Sequence, residues 1–384
     1  MDFAPGQELT EIRRGVAELC ASYPNEYWRS LEPDTYPTEF VDALTKAGWL
    51  AALIPEEYGG AGLGLTAASV ILEEINHSGG NAAACHAQMY TMGTILRHGG
   101  DEQKRRYLPA IAAGDLRLQA FGVTEPDAGS DTTRIRTTAE RAAGGYVIRG
   151  KKIWTSRALQ SDLMLLLART APATKRTDGL STFLVDMKAA VAAGTMTIRP
   201  IGTLMNHSTT EVFFDGVHVP AENLVGEEGR GFRHILDGMN AERILIAAEC
   251  IGDGRWFVER ASAYASERIV FDRPIGANQG VQFPIAQAHA AIDAADLMRY
   301  KAAWLYEQGE PAAAEANMAK YLAAEASWQA ANACLDTYGG FGFAREYDVE
   351  RKFRETRLYR VAPVSNNLVL AYLGHHVLGM PRSY

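Results

Sequence analysis

Residues 121–131 read FGVTEPDAGSD, and the character of the chain changes at this stretch. The Gly129-Ser130 pair follows a turn that contains a proline, and glycine lets backbone amides approach a ligand closely, as phosphate or ring-oxygen binding requires. Thr124 and Ser130 add hydroxyl groups. The same residue types form ordinary hairpin loops, so this stretch alone is compatible with a plain turn as well as with a ligand-binding loop.

The segments on either side of this stretch have different hydrophobic patterns. Residues 1–118 carry apolar side chains at helical spacing, residues 119–228 contain short β-rich runs, and residues 229–384 return to long, alanine-rich helical patterns. Short strands without intervening helices predict an antiparallel sandwich or barrel. We therefore predict a mainly α fold with an N-terminal helical domain, a middle β domain and a C-terminal helical bundle, each with these bounds.

Individual elements follow from the same patterns. Helices are predicted over residues 66–75, 286–306 and 318–335, and strands over 146–148, 162–168, 182–185, 196–198 and 211–214. Gly62 and Gly64 follow an apolar run and hint at a dinucleotide-binding turn. The spacing of that motif is incomplete and no strand–helix–strand pattern follows, so a plain connecting loop is the better interpretation.

Composition excludes several classes of protein. The chain has 384 residues, with 38 Lys and Arg against 46 Asp and Glu and a formal net charge of −8, which argues against a nucleic-acid binder. With 47% hydrophobic residues it can bury a large core. The four cysteines form no CxxC pair and the histidines form no HxxxH or HExxH pair, so we predict buried, reduced thiols and no metal site.

The sequence also bears on location. The first residues show no basic region followed by an apolar stretch, and the longest apolar run, 163–168, is far shorter than the roughly 20 residues that span a bilayer. We therefore predict a soluble cytoplasmic protein with no membrane partner. A basic cluster between Arg345 and Arg360 is interleaved with acids, and Glu350 and Arg354 form an i,i+4 pair, which favours an ion-paired surface.

Four further motifs turn these patterns into a specific resemblance. They are GKKIWTS at 150–156, TEVFFDGVHVP at 210–220, ERIVFDRPIG at 267–276 and YGGFGFAREY at 338–347. Together with 121–131, and in the same order along the chain, they resemble the acyl-CoA dehydrogenase family, flavoenzymes with a helix–sheet–helix order. The resemblance covers most of the chain and implies FAD as the cofactor.

The resemblance implies flavin contacts in three places. The first motif would line the isoalloxazine ring and pyrophosphate, Trp154 would pack against the flavin, and Ser156 would offer its hydroxyl near N5. The implied cofactor-binding residues are Phe121, Val123, Thr124, Gly129, Ser130, Trp154, Thr155, Ser156, Arg268, Phe271, Gln279, Gly339, Gly340, Ser365 and Asn367. Five of these residues would hold the adenine half of an FAD bound to a neighbouring subunit, namely Arg268, Phe271, Gln279, Gly339 and Gly340. Such sharing implies a homotetramer or at least a dimer. Taken singly, a tryptophan such as Trp154 is more typical of a core position, and an arginine such as Arg268 is more typical of a solvated helix face.

The catalytic base is where the chain departs from part of its family. Members similar to the medium- and short-chain enzymes carry a glutamate near the C-terminus, and the ungapped match places Pro363 there. Members similar to the isovaleryl and long-chain enzymes take their base from a helix, directly before a substrate-contacting arginine. That position here is Glu242, before Arg243.

Local pattern supports this assignment. Leu245 and Ile246 follow Glu242 at i+3 and i+4, so the carboxyl group is predicted to lie on an apolar helix face, where burial would raise its pKa. The resemblance implies Ser130, Asn240 and Arg243 on the substrate side. Glu249, one heptad later, is a distant second choice for the base.

The sequence therefore predicts an FAD-dependent acyl-CoA dehydrogenase. It would convert an acyl-CoA thioester to the trans-2-enoyl-CoA and pass electrons to an electron-transfer flavoprotein. Two alternatives remain: a reductase of the same family that runs in the enoyl-to-acyl direction, as the crotonobetainyl-CoA enzymes do, and a flavin-binding homologue that lost catalysis at Pro363.

Overall fold

The structure is a computed structural model, and it describes residues 6–172 and 177–382. The chain forms two compact units. The helical unit comprises Met1–Glu32, Gly64–Ala82 and Asn240–Tyr384, and the sheet unit comprises Pro33–Leu63 and Ala83–Met239. Each unit therefore combines segments that are far apart in the sequence.

The described residues form α-helices at both ends of the chain and strands in the middle. The helices are α1 (Gln7–Cys20), α2 (Asn25–Ser30), α3 (Thr38–Lys46), α4 (Leu65–His77), α5 (Ala83–His98), α6 (Asp101–Ala113), α7 (Met187–Ala192), α8 (Gly231–Glu267), α9 (Gln279–Glu307), α10 (Ala313–Tyr338), α11 (Val349–Arg357) and α12 (Asn366–Tyr372). The strands are β1 (Ala120–Gly122), β2 (Thr138–Ala142), β3 (Gly145–Ser156), β4 (Leu163–Arg169), β5 (Leu180–Asp186), β6 (Met196–Pro200), β7 (Thr209–Pro220), β8 (Leu224–Val225), β9 (Ile269–Val270) and β10 (Arg273–Pro274). The mainly helical fold with a central sheet is as predicted.

The central sheet has eight strands, in the order β6-β7-β3-β2-β4-β5-β8, with β1 paired to β4. Most neighbours run antiparallel, as predicted, and β3 and β7 form the longest pairing. The sheet is nevertheless mixed, because β4 pairs in parallel with β1 and, at one position, with β2. Apolar side chains from seven of the strands, including Ile148, Leu166, Phe183 and Val212, form one buried cluster.

The prediction of strands without intervening helices is wrong at one place. The short helix α7 lies between β5 and β6. It begins where the Asp186 side chain accepts a hydrogen bond from the Ala189 amide at 2.9 Å. Such a side-chain cap satisfies an amide that the first helical turn leaves without a partner. All five predicted strands are present, and Gly62 and Gly64 lie in a loop before α4, as expected.

Small residues determine how closely helices pack in the helical unit. The buried face of α10 is largely alanine, including Ala316, Ala323 and Ala330, all at most 2% exposed. On α8, a side chain at Gly252 would meet the Glu73 carbonyl oxygen of α4 at 2.2 Å. Only glycine permits that approach, so its position sets the distance between the two helices.

The basic cluster near the C-terminus is the second correction. The predicted Glu350–Arg354 pair is present at 2.8 Å, but Arg351, Lys352 and Glu355 of the same helix α11 are buried. The Arg351 guanidinium donates to Asp348 and Glu355, each at 3.0 Å, and Lys352 lies 2.5 Å from the Asp253 carboxylate. The centre of the cluster is therefore an interior ion-pair network and not a surface, and Asp253 of α8 belongs to it.

The four cysteines are free and buried, as predicted. Burial raises the pKa of Cys20 and of Cys334 to about 12, which keeps these two thiols protonated near neutral pH. Among the described helices, none has the length and apolar character needed to cross a bilayer.

Candidate active site

In the sheet unit, the 121–131 stretch is attached to the third strand of the sheet. The Lys152 ammonium donates to the Val123 carbonyl oxygen at 2.9 Å, and the Ile153 amide donates to the Thr124 carbonyl oxygen, also at 2.9 Å. Val123 and Phe121 also pack against a buried apolar cluster that includes Ile235. The structure therefore brings two of the predicted flavin-binding segments together within one unit.

The Glu125 carboxylate lies underneath this loop. It accepts hydrogen bonds from the Arg136 amide at 2.6 Å, the Thr137 amide at 2.9 Å and the Lys152 ammonium at 2.9 Å. Burial by itself would raise the pKa of Glu125, but Lys152 and these amides outweigh it, so the pKa lies below its usual value. Burial lowers the pKa of Lys152 to about 8, with Glu125 acting in the opposite direction.

An irregularity in β3 exposes the predicted flavin-stacking residue. The register with β7 shifts between Lys152 and Thr155, and Trp154 there has a φ of 60°. Such a bulge re-aims the side chains beside it, and the Trp154 side chain is 57% exposed. Thr155 is buried, and its hydroxyl has no hydrogen-bond partner among the described residues. Ser156 follows at partial burial, paired with Thr209.

In the helical unit, the residues predicted to hold the adenine half are exposed. Phe271, 93% exposed, lies at the tip of the two-residue turn between β9 and β10. The Arg268 guanidinium lies 5.8 Å from the ring centroid of Phe341, directly after Gly339 and Gly340. Gly339 has a φ of 56°, and a side chain at either glycine would meet nothing within 4 Å. Arg268 and the glycine turn are therefore neighbours, and Gln279 is the exposed first residue of α9.

These observations fit an FAD molecule. An exposed indole and a buried hydroxyl without a partner suit a flat, polar-edged ring. An exposed arginine beside an open glycine turn suits a pyrophosphate, and an exposed phenylalanine suits an adenine face.

The predicted base lies on α8. Glu242 is 5% exposed, and Leu245 and Ile246 on the same face are 0% and 8% exposed, so the predicted burial is confirmed. The neighbouring Arg243 donates through its Nη1 to the Asn240 side-chain oxygen at 3.0 Å. Its Nε is buried without a hydrogen-bond partner in the part of the chain that the structure describes. Burial lowers the pKa of Arg243, while the Glu242 carboxylate opposes that shift.

The C-terminal segment keeps hydrogen-bonding groups around the position of the missing glutamate. Pro363 follows a cis peptide bond and is partly buried. The Ser365 hydroxyl caps α12 by accepting from the Leu368 amide at 3.3 Å, and Asn367 is exposed on the first turn.

Sequence reasoning missed the residue that anchors this segment. The Lys320 ammonium donates to the Val364 carbonyl oxygen and to the Asn366 side-chain oxygen, each at 2.7 Å. Burial lowers the pKa of Lys320 to about 8. Lys152 and Glu125 were missed in the same way. Glu125 stands inside the quoted 121–131 motif and Lys152 inside the GKKIWTS motif, but neither motif shows which charged side chain points inward.

The chain is similar to known proteins over most or all of its length. The fold matches a solved structure of the glutaryl-coenzyme A dehydrogenase glutaryl-CoA complex with a TM-score of 0.92 and 30% identity, over 100% of this chain and 98% of that one. Among sequence relatives, Acyl-CoA dehydrogenase FadE12 of Mycobacterium tuberculosis is 37% identical over 386 residues, covering 100% of this chain and 99% of its own. A 3-(aryl)acrylate reductase of Clostridium sporogenes is 34% identical, over 85% of this chain and 86% of its own.

The family assignment follows from three further matches. Residues 6–115, 120–217 and 229–371 match the family models of the N-terminal, middle and C-terminal domains of acyl-CoA dehydrogenase. The chain belongs to the acyl-CoA dehydrogenase family. It is an oxidoreductase of that family, and its cofactor is FAD.

Proposed function

We propose that the protein dehydrogenates an acyl-CoA thioester to the trans-2-enoyl-CoA, with Glu242 as the base. The observation that carries the proposal is the position of a buried carboxylate on α8, directly before Arg243, in a chain that has Pro363 at the alternative site. Proline has no proton-accepting group. A base is needed because the α-proton of a thioester leaves only when a positioned group takes it.

The roles of the neighbouring residues follow from their hydrogen-bonding state. Asn240 orients the Arg243 guanidinium through one of its nitrogens, which leaves the buried Nε to donate to the substrate. The α-proton goes to the Glu242 carboxylate, and the double bond forms as the β-hydrogen leaves with its electron pair. FAD supplies the acceptor for that hydride. The Thr124 and Trp154 segments hold the flavin ring.

The second half of the proposal concerns the assembly and the electron acceptor. Arg268, Phe271, Gln279 and the Gly339-Gly340 turn are exposed within their own unit, which suits contact with the FAD of a neighbouring subunit in a homotetramer or dimer. Electrons would leave to an electron-transfer flavoprotein. Analytical ultracentrifugation of the wild-type holoprotein tests the assembly, and a monomeric holoprotein would contradict the shared site. Titration of FAD into Phe271→Ala tests the contact, and the variant is expected to bind FAD more weakly than wild type.

Glu242→Gln is the decisive variant for the reaction. It preserves side-chain volume but removes the base, and a positioned base contributes about 10²–10⁴-fold to the rate. Anaerobic mixing with a panel of acyl-CoA thioesters should bleach the flavin absorbance of the wild type with at least one of them. The variant should remain yellow and bleach slower by about that factor. Glu310→Gln, at an exposed loop position, is the matched control and should bleach at the wild-type rate. Bleaching of Glu242→Gln at the wild-type rate would show that Glu242 is not the base.

The opposite direction is a second candidate, favoured by one comparison. The Clostridium sporogenes relative is named a reductase and is 34% identical to this chain. The same Glu242 would then donate its proton at the α-carbon while hydride arrives at the β-carbon. Assays of the purified protein in both directions, with acyl-CoA and with enoyl-CoA plus a chemical electron donor, decide between the two.

A further inference from the structure

The sheet unit holds a buried charged group for which the proposed reaction has no use. The Lys152 side chain is 0% exposed, and its pairing carboxylate, Glu125, is 8% exposed. Removing an ammonium group from water is costly, and the attraction of a buried pair offsets that cost only with good geometry and further hydrogen bonds. A well-packed apolar pair is often as stable, so stability alone gives no reason for this pair.

The contacts of Lys152 control the direction of one peptide group. Its ammonium donates to the Val123 carbonyl oxygen at 2.9 Å. In a trans peptide the carbonyl of one residue and the amide of the next point in opposite directions. The Thr124 N–H therefore points away from Lys152, and it has no acceptor among the residues that the structure describes.

Lys152 also lies at the start of the β3 bulge. The next amide, of Ile153, donates to the Thr124 carbonyl oxygen at 2.9 Å, and Trp154 follows with its positive φ. One buried side chain thus joins the loop that presents Thr124 to the strand that presents Trp154. Glu125 completes the arrangement, since its carboxylate is held by the Arg136 and Thr137 amides and fixes the ammonium from the other side.

We infer that Lys152 is a positioning residue for the flavin ring, which holds the Val123–Thr124 peptide so that the Thr124 N–H is a preset donor to FAD. The Glu125 carboxylate balances the charge of the buried Lys152 ammonium. This inference rests on the proposed flavin roles of Thr124 and Trp154. It adds a residue that does not itself touch the cofactor.

Three variants separate positioning from stability. Lys152→Met keeps the aliphatic stem but removes the donor to Val123. Glu125→Gln keeps the volume and an acceptor oxygen, and leaves the Lys152–Val123 hydrogen bond in place. The double variant removes both charges, so it has no unpaired buried ion. Each is measured for thermal unfolding of the apoprotein, for the Kd of FAD by titration of the apoprotein, and for the shape of the visible flavin absorption band.

The unfolding temperature and the FAD affinity are expected to respond differently across the three variants. Each single variant should unfold at lower temperature, because one buried charge is left without its partner, and the double variant should recover part of that loss. FAD affinity should fall about tenfold or more in Lys152→Met and in the double variant, with an altered flavin band. In Glu125→Gln it should change by no more than about threefold.

A purely structural role predicts a different result. FAD affinity would then follow stability, and the double variant would recover both. Wild-type Kd and spectrum in the double variant would therefore overturn the inference. If Lys152→Met does not fold, the double variant alone decides the test. If Lys152→Met folds and binds FAD with the wild-type Kd, that result also overturns the inference. Failure of the proposed reaction would be recognised separately from failure of this inference. In that case the wild type would bind FAD, but neither acyl-CoA nor enoyl-CoA would change its flavin spectrum.

Discussion

The Tyr359 hydroxyl donates to the Glu249 carboxylate at 3.1 Å in the interior of the helical unit. The Asn76 amide donates in turn to the Tyr359 oxygen at 3.0 Å and to the Asp253 carboxylate at 3.0 Å. Glu249 is therefore held in a buried network that connects α4, α8 and the segment after α11. Glu242, seven residues earlier on α8, is also buried but lies beside the Asn240–Arg243 pair.

This difference predicts opposite consequences for two similar substitutions. Glu249→Gln should lower the free energy of unfolding by about 1–3 kcal/mol, because a buried hydrogen-bond network loses an acceptor. Flavin bleaching by the substrate should stay within a few-fold of wild type. Glu242→Gln should show the reverse pattern. Urea denaturation and stopped-flow absorbance on both variants check the contrast, and a loss of bleaching in Glu249→Gln alone would exchange the two roles.

The interior ion pairs of α11 give a prediction on stability. Arg351→Met removes a donor from Asp348, from Glu355 and from the Gly79 carbonyl, and removal of one partner from a buried charge network costs about 3–5 kcal/mol. Arg345→Gln, at an exposed position of the same basic cluster, should stay within about 0.5 kcal/mol of wild type. Thermal unfolding measures both, and equal melting temperatures for the two variants would contradict the buried placement.

His77 predicts a pH dependence of stability. Its Nε2 lies 2.7 Å from the Glu259 carboxylate, and its Nδ1 lies 3.6 Å from Glu74. The hydrogen bond with Glu259 and the nearby Glu74 carboxylate raise the pKa of His77 from 6.5 to about 9. Since the folded pKa is raised, the stabilisation is fully present below pH 6.5 and is lost as the pH rises through about 9.

His77→Gln should therefore be less stable than wild type at about pH 6, by roughly 1 kcal/mol after allowance for the exposure of Glu259, and the difference should vanish near pH 10. Urea denaturation across that range measures it. Glu259→Gln removes the stronger partner and should reduce the pH dependence. A stability difference that is constant with pH would exclude the charged pair.

Gln88 predicts a stabilising substitution. It is fully buried in α5, and neither its amide nitrogen nor its oxygen has a hydrogen-bond partner within the described residues. An unsatisfied buried polar group costs about 1–3 kcal/mol, so Gln88→Met should raise the free energy of unfolding by an amount of that order. Gln103 is the matched control, since its amide donates to the Glu222 and Leu224 carbonyls at 2.7 and 2.9 Å. Gln103→Met should destabilise, and a similar loss in Gln88→Met would point to a bound water.

Local patterns were sufficient for most of the fold. The five predicted strands and the three predicted helical spans are present because alternation and helical spacing report which side of an element is apolar. The burial of Glu242 could be predicted in the same way, from Leu245 and Ile246 on its own helix. The helix α7 was missed because only its cap, Asp186, distinguishes it from a turn.

Polar side chains with distant partners could not be predicted. The i,i+4 pair of Glu350 and Arg354 is visible in the sequence, whereas the partners of the buried Lys352 include Asp253 of α8, about 100 residues away. Lys152 was passed over for a related reason. The bulge after it breaks the alternation of β3, so strand parity does not reveal that the lysine points inward and the tryptophan outward.

The sequence by itself determined the family, the order of helix, sheet and helix, and the candidate base, because these depend on motifs and on spacing within single elements. Only the tertiary structure decided which of two buried glutamates on α8 is bound into the interior and which lies beside Arg243. It also showed that Lys152 and Glu125 form a buried ion pair beneath the 121–131 loop. The physical reason is that a charge is stabilised in a protein interior by partners in space, and those partners come from segments that the sequence keeps far apart.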